Sequence, residues 1–151
     1  MNKILFLLLL VVSTNAVAQV DNPKYDKALA ESLGADAYGM KIYILVILKA
    51  GTAKIEDNDK LNQLFKGHME SINKLAAEGK LVVAGPIAIN DKNYKGIFIF
   101  NVKTAEEATA LLAGDPAIQE KLFEVEILQW YGSAALGEHL KVHEKIEQKK
   151  H

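Results

Sequence analysis

His68 sits in the stretch LFKGHMESI (64–72), within a segment whose apolar residues recur at helical spacing: Leu61, Leu64, Phe65, Ile72, Leu75 and Ala76. The imidazole completes that apolar stripe. Its neighbour Gly67 is a weak helix residue, costing about 1 kcal/mol relative to alanine in a helix interior. A ring that gains and loses a proton near neutral pH can serve as general acid or base if a partner on its second nitrogen fixes the tautomer. Asp115 is the candidate partner. Two ordinary readings compete. A histidine on an apolar stripe can share the core and hydrogen-bond a carbonyl. An aspartate before Pro116 can be a plain helix cap with proline in the first turn. The separation of the two residues along the chain leaves open whether they meet.

Other reactive side chains form weaker patterns. His139 and His143 are four apart in EHLKVHE, a spacing that metal sites use, yet no third ligand or positioned base accompanies them. The expectation is a solvated helix face, with no metal and no cofactor. Trp130 and Tyr131 close an apolar run; they either pack at a sheet end or offer a flat surface to a ring-bearing ligand. Nothing matches a phosphate-binding glycine loop or a serine nucleophile elbow.

Composition narrows the classes further. The chain has 151 residues, enough for one domain, and no cysteine, so disulfides, thiol nucleophiles and thiolate metal sites are excluded. Every basic residue is a lysine. Without arginine there are no bidentate forks for phosphate or guanine, and nucleic acid is not an expected partner. The start reads as an export signal. Lys3 precedes an unbroken apolar run, Ile4 to Val12, and Ala16-Val17-Ala18 supplies the small residues of a cleavage site. The run is short for a membrane span. Residues 1–18 are therefore expected to be removed, leaving a periplasmic or secreted protein with no membrane association and a net charge near −2.

The elements that must position His68 and Asp115 follow from patterning. A polar lead-in, 19–39, carries Tyr25, Leu29 and Leu33 every fourth residue, consistent with a short helix stopped by Gly34. MKIYILVILKAG (40–51) is a strand, apolar on both faces. A helix of about twenty residues follows, capped from Asp57, Asn58 or Asp59 and ended at Gly79. LVVAGP (81–86) is the second strand, and the loop INDKNYKG (89–96) leads to a third, IFIFNV (97–102). Thr104 and Glu107 match a capping box for a second helix running to Gly114. Asp115-Pro116 restarts a short helix through Leu122, and FEVEILQWYG (123–132) is the last strand. The charged tail, 133–151, reads as a loose helix.

The order β-α-β-β-α-β over residues 40–132 predicts an α+β, ferredoxin-like sandwich: a four-stranded antiparallel sheet with both helices on one face. Two helices cover only that face. The apolar second face then needs a cover, most simply the sheet of an identical subunit, or else the chain's own tail.

The chain resembles the YCII-related family of small dimeric α+β barrel proteins. The matching pieces are MKIYILVILKAG, GHMESINKLAAEGKLVVAGP (67–86), KGIFIFNV, AEEATALLAGDPAI (105–118) and VEILQWY. The resemblance implies two ferredoxin-like subunits packed sheet to sheet, a homodimer. It also implies a His–Asp pair in a cleft, which by position is His68 and Asp115. One branch of the family resembles a dehydrochlorinase of a chlorinated hydroxyhydroquinone. The export signal, lead-in and tail depart from the usual short member. The expectation is an exported enzyme of lyase, isomerase or dehydrohalogenase type. Asp115 orients the ring, and His68 moves a proton on a small apolar or aromatic molecule. Gly67, Gly85 and Pro86 shape the pocket, the loop up to Tyr94 forms its rim, and Trp130 is a further lining candidate. The alternatives are a non-catalytic periplasmic ligand-binding protein and a structural partner of another protein. His68 and Asp115 within hydrogen-bond reach in a cleft favours the enzyme. A filled site favours the binder. Uncovered apolar stripes on 24–33 or 139–146 favour the structural role.

Overall fold

Eleven consecutive residues, Met40–Ala50, form β1, the strand around which the molecule is built. A computed structural model describes residues 22–149; the expected export signal, 1–18, lies outside the described residues. After β1 come α2 (Asn58–Ala77), β2 (Leu81–Pro86) and β3 (Tyr94–Phe100). The chain continues through α3 (Ala105–Leu112), α4 (Pro116–Gln119) and β4 (Phe123–Ser133). A short α1 (Lys27–Leu33) precedes this unit, and a 3-10 helix (Ala134–His139) and α5 (Leu140–Ile146) follow it. The sheet order is β2-β3-β1-β4 and every neighbouring pair is antiparallel. This is the ferredoxin-like α+β arrangement expected from the element order.

The alternation of β1 divides the core. Ile44, Val46 and Leu48 face α2 and α3 and pack with Phe98, Phe100, Leu75, Ala108 and Leu112. Tyr43 faces the other way with Val82 and Ile99, against Leu45, Val83, Trp130 and Leu136. Leu136 belongs to the 3-10 helix, so the chain's own tail covers one end of the second face. The Tyr43 hydroxyl donates to the carbonyls of Ser133 and Ala134, at 2.9 and 3.2 Å. Leu45, Ile47 and Ile97 stay half-buried on the rest of that face, and Leu128 is exposed.

The capping signals work as expected. The Asp57 carboxylate accepts the N–H groups of Asp59 and Lys60 at the start of α2. The Thr104–Glu107 box is complete at α3. Gly79, at φ 66°, takes the left-handed turn after α2. Three details differ from expectation. The third strand spans 94–100, not 97–102, because a register shift lets Tyr94 pair with Lys49 after Leu48 pairs with Gly96. The short helix ends at Gln119, not Leu122, because Lys121 adopts φ 56° and turns the chain into β4. The tail is a 3-10 helix docked on the sheet followed by a short α-helix, rather than one loose helix.

Candidate active site

α2 enters the site with its apolar stripe toward the sheet, which places His68 at the helix–sheet boundary. His68 is only 7% exposed. It lies between two aromatic rings, with centroids 5.8 Å from Phe98 on β3 and 5.1 Å from Phe123 at the start of β4. These flat walls limit rotation of the imidazole.

Asp115 is 2% exposed and uses its two carboxylate oxygens differently. Oδ1 accepts the N–H of Ala117 at 2.9 Å, which caps α4. Oδ2 lies 2.6 Å from His68 Nδ1. Cap and partner are therefore not alternatives: one oxygen serves each. An ionised carboxylate can only accept, so Nδ1 carries the hydrogen and donates it to Asp115. In the neutral ring this leaves the lone pair on Nε2. Nε2 has no partner among the described residues. Among the described residues no fully buried side-chain nitrogen or oxygen lacks a partner, so Nε2 keeps some exposure in a residue that borders a cleft.

Gly67 explains how the two residues meet. A Cβ at Gly67 would collide with Cγ of Pro116, closer than real side chains approach. The missing side chain lets α4 come up against α2 one residue from His68 on one side and one residue from Asp115 on the other. The local weakness of the helix thus sets a close helix–helix contact. Lys60 on α2 also bridges to Glu120 just after α4 at 3.1 Å, a half-exposed pair of small energetic weight.

The cleft has a volume of about 410 Å³, within the range of small-molecule sites. His68, Phe65, Phe98 and Phe123 border it, together with Gly85, Pro86, Gly96 and Lys95. The walls are mostly apolar, and the imidazole is the main polar feature at depth. Of the residues singled out in the sequence, Gly85 and Pro86 border this cleft with His68. Three do not. Gly67 is against Pro116. Tyr94 lies near the ammonium groups of Lys49 and Lys92, each 5.9 Å from its ring, outside the cleft. Trp130 is on the opposite sheet face, 5.8 Å from the Tyr43 ring, because position 130 pairs with Tyr43 and not with a helix-facing residue. Sequence reasoning missed Phe98, Phe123 and Phe65. The period-two facing of the third strand and the i, i+3 relation of Phe65 to His68 carry that signal.

A larger open groove of about 570 Å³ lies at the other end of the sheet, between the lead-in and β4. There the Tyr131 hydroxyl donates to Asp36, and this bond holds the Asp36 carboxyl below the usual carboxylate range while it raises the phenol. Oδ1 of Asp36 also accepts the N–H groups of Tyr38 and Met40 at 2.8 and 3.0 Å. His139 Nδ1 is 2.6 Å from the Leu136 carbonyl, to which it donates. Among the described residues no three histidine, aspartate or glutamate side chains are grouped to hold a metal.

No curated protein matches the chain. The YCII-related domain does, over residues 40–131, which takes in β1 to β3, all but the last two residues of β4, the helix bearing His68 and the turn bearing Asp115. The fold and this match together place the chain in the YCII-related domain family.

Proposed function

We propose that the protein is an exported small-molecule enzyme in which His68 Nε2 is the general base and acid and Asp115 orients the ring. The observation that carries this reading is the buried 2.6 Å His68–Asp115 contact, made through Nδ1, in a histidine that borders an apolar cleft. The reaction class is proton transfer at carbon. Nε2 takes a proton from a carbon next to an activating group, and the electron pair left behind moves into a new double bond. In a dehydrohalogenation, halide departs from the adjacent carbon. In an isomerisation, the imidazolium returns the proton to a different carbon. Neither course needs an external oxidant or reductant. The substrate is a small apolar or aromatic molecule.

Proton NMR in deuterium oxide with enolisable carbonyl compounds and β-halo acids tests this directly. Solvent exchange or halide release is expected with the wild type, falling by about 10²–10⁴ in His68→Ala. Equal turnover by the wild type and His68→Ala contradicts the reading.

The same proposal includes a homodimer formed through the uncovered part of the second sheet face, supported by the strip Leu45, Ile47, Ile97 and Leu128. Export rests on the residue pattern of 1–18. A second reading, docking to another protein, is favoured by one observation: Tyr25 and Leu29 near α1, and Val142 and Ile146 on α5, are exposed apolar side chains.

A further inference from the structure

We propose that Lys95 is the specificity-determining residue of the cleft and that the preferred ligand is a small apolar organic anion, its charged group held at the Lys95 ammonium. The inference rests on the cleft being the ligand site. Apart from His68, Lys95 is the one ionisable residue bordering the cleft among the described residues. Its position is not that of an ordinary strand lysine. Phe98 and Phe100 face the helices, while Ile99 faces away. Strict alternation would put Lys95 on the far face with Ile99. The register shift at this point pairs Tyr94 with Lys49 and Gly96 with Leu48, so Lys95 is the extra residue of a bulge. Bulges beside functional sites re-aim a side chain in this way. The close pairing that makes room for it involves Gly96, whose absent Cβ would come within 3.0 Å of the Gly85 carbonyl.

Charge supports the same role. Lys27, Lys49, Lys60, Lys66 and Lys141 each pair with a glutamate. Lys95, like most other lysines among the described residues, has no such partner, and its side chain is exposed. A four-carbon stem lets the ammonium meet a ligand anion at the cleft mouth while the apolar body lies against Phe98, Phe123 and Phe65. The ligand carbon near Nε2 is then set by the distance between its anionic group and its reacting atom.

Benzoate and its neutral isostere benzamide are the probes, titrated into the ¹⁵N-labelled protein and read from amide shifts of Gly85, Gly96 and Phe98. Benzoate is expected to bind about five- to tenfold more tightly than benzamide, with the advantage shrinking as salt rises. Lys95→Gln is expected to remove that advantage and leave benzamide binding unchanged; its amide spectrum outside the cleft reports an intact fold. Equal affinity of the wild type for both probes, or an undiminished benzoate preference in Lys95→Gln, overturns the role of Lys95 while the cleft stands as a binding site. No shift at the cleft with either probe overturns the cleft as ligand site and the Lys95 role together.

Discussion

At the scale of single residues, the notable arrangement is the division of labour at Asp115. Because Oδ1 caps α4 and Oδ2 meets His68, two substitutions separate the functions. Asparagine caps about as well as aspartate, so Asp115→Asn should keep the cap and lose, by thermal unfolding, only what the carboxylate–imidazole bond contributes, while it weakens the hold on the ring. Asp115→Ala should cost about 0.5–2 kcal/mol from the lost cap alone, with a further loss from the buried imidazole left without a partner. Gly67 gives a second test. Gly67→Ala improves helix propensity, yet the new methyl group meets Pro116. Overpacking of that kind costs about 1–3 kcal/mol, and the displaced α4 should carry Asp115 away from His68. The double variant Gly67→Ala with Pro116→Ala removes the colliding ring and should restore the His68 ring signals seen by NMR. Failure of the second change to rescue the first contradicts the positioning role of Gly67. The oddity of a glycine beside a histidine on an apolar stripe was legible in the sequence. Its cause was not, since Pro116 lies far along the chain and only the packing of α4 on α2 reveals it.

At the scale of elements, most signals were local and hence readable. Caps, glycine stops and two-faced strands are written within a few residues of the structure they produce. What failed was nonlocal. The bulge that begins β3 early depends on pairing with β1, and the facing of Trp130 depends on its register against Tyr43. The capping box also makes a pH prediction. The backbone N–H groups of Lys103 and Thr104 hold the Glu107 carboxyl below the usual carboxylate range. A depressed folded-state value means the contribution is fully present above the ordinary carboxylate range and is lost as pH falls through the folded value. Asp36, lowered chiefly by the Tyr131 hydroxyl, acts in the same direction. Asp36→Asn should therefore flatten the acid limb of a plot of melting temperature against pH, with little change near neutrality in the slope of that plot. An acid limb as steep as that of the wild type contradicts the link between Asp36 and Tyr131 on β4.

At the scale of the whole molecule, the second sheet face is the decisive surface. Its apolar character was visible in β1, and two covers were conceivable, a partner sheet or the tail. The structure uses the tail for the Tyr43 end and leaves Leu45, Ile47, Ile97 and Leu128 incompletely covered. The proposed dimer forms on that remainder. Light scattering after size exclusion should give twice the monomer mass at micromolar concentration, and Leu128→Lys should shift it to the monomer. A wild-type monomer under those conditions contradicts the dimer and gives weight to docking through the exposed apolar residues of α1 and α5. The His68–Asp115 contact is made within one chain, so the dyad should persist in a monomeric variant.

The central claim is that Asp115 fixes His68 with its lone pair on Nε2. Long-range ¹H–¹⁵N NMR of the imidazole, wild type against Asp115→Asn, measures this directly. The account predicts an Nδ1–H tautomer for neutral His68, with its ring shifts displaced by the asparagine. An Nε2–H tautomer, or a ring indifferent to the substitution, would contradict it and leave Asp115 as a helix cap beside a core histidine.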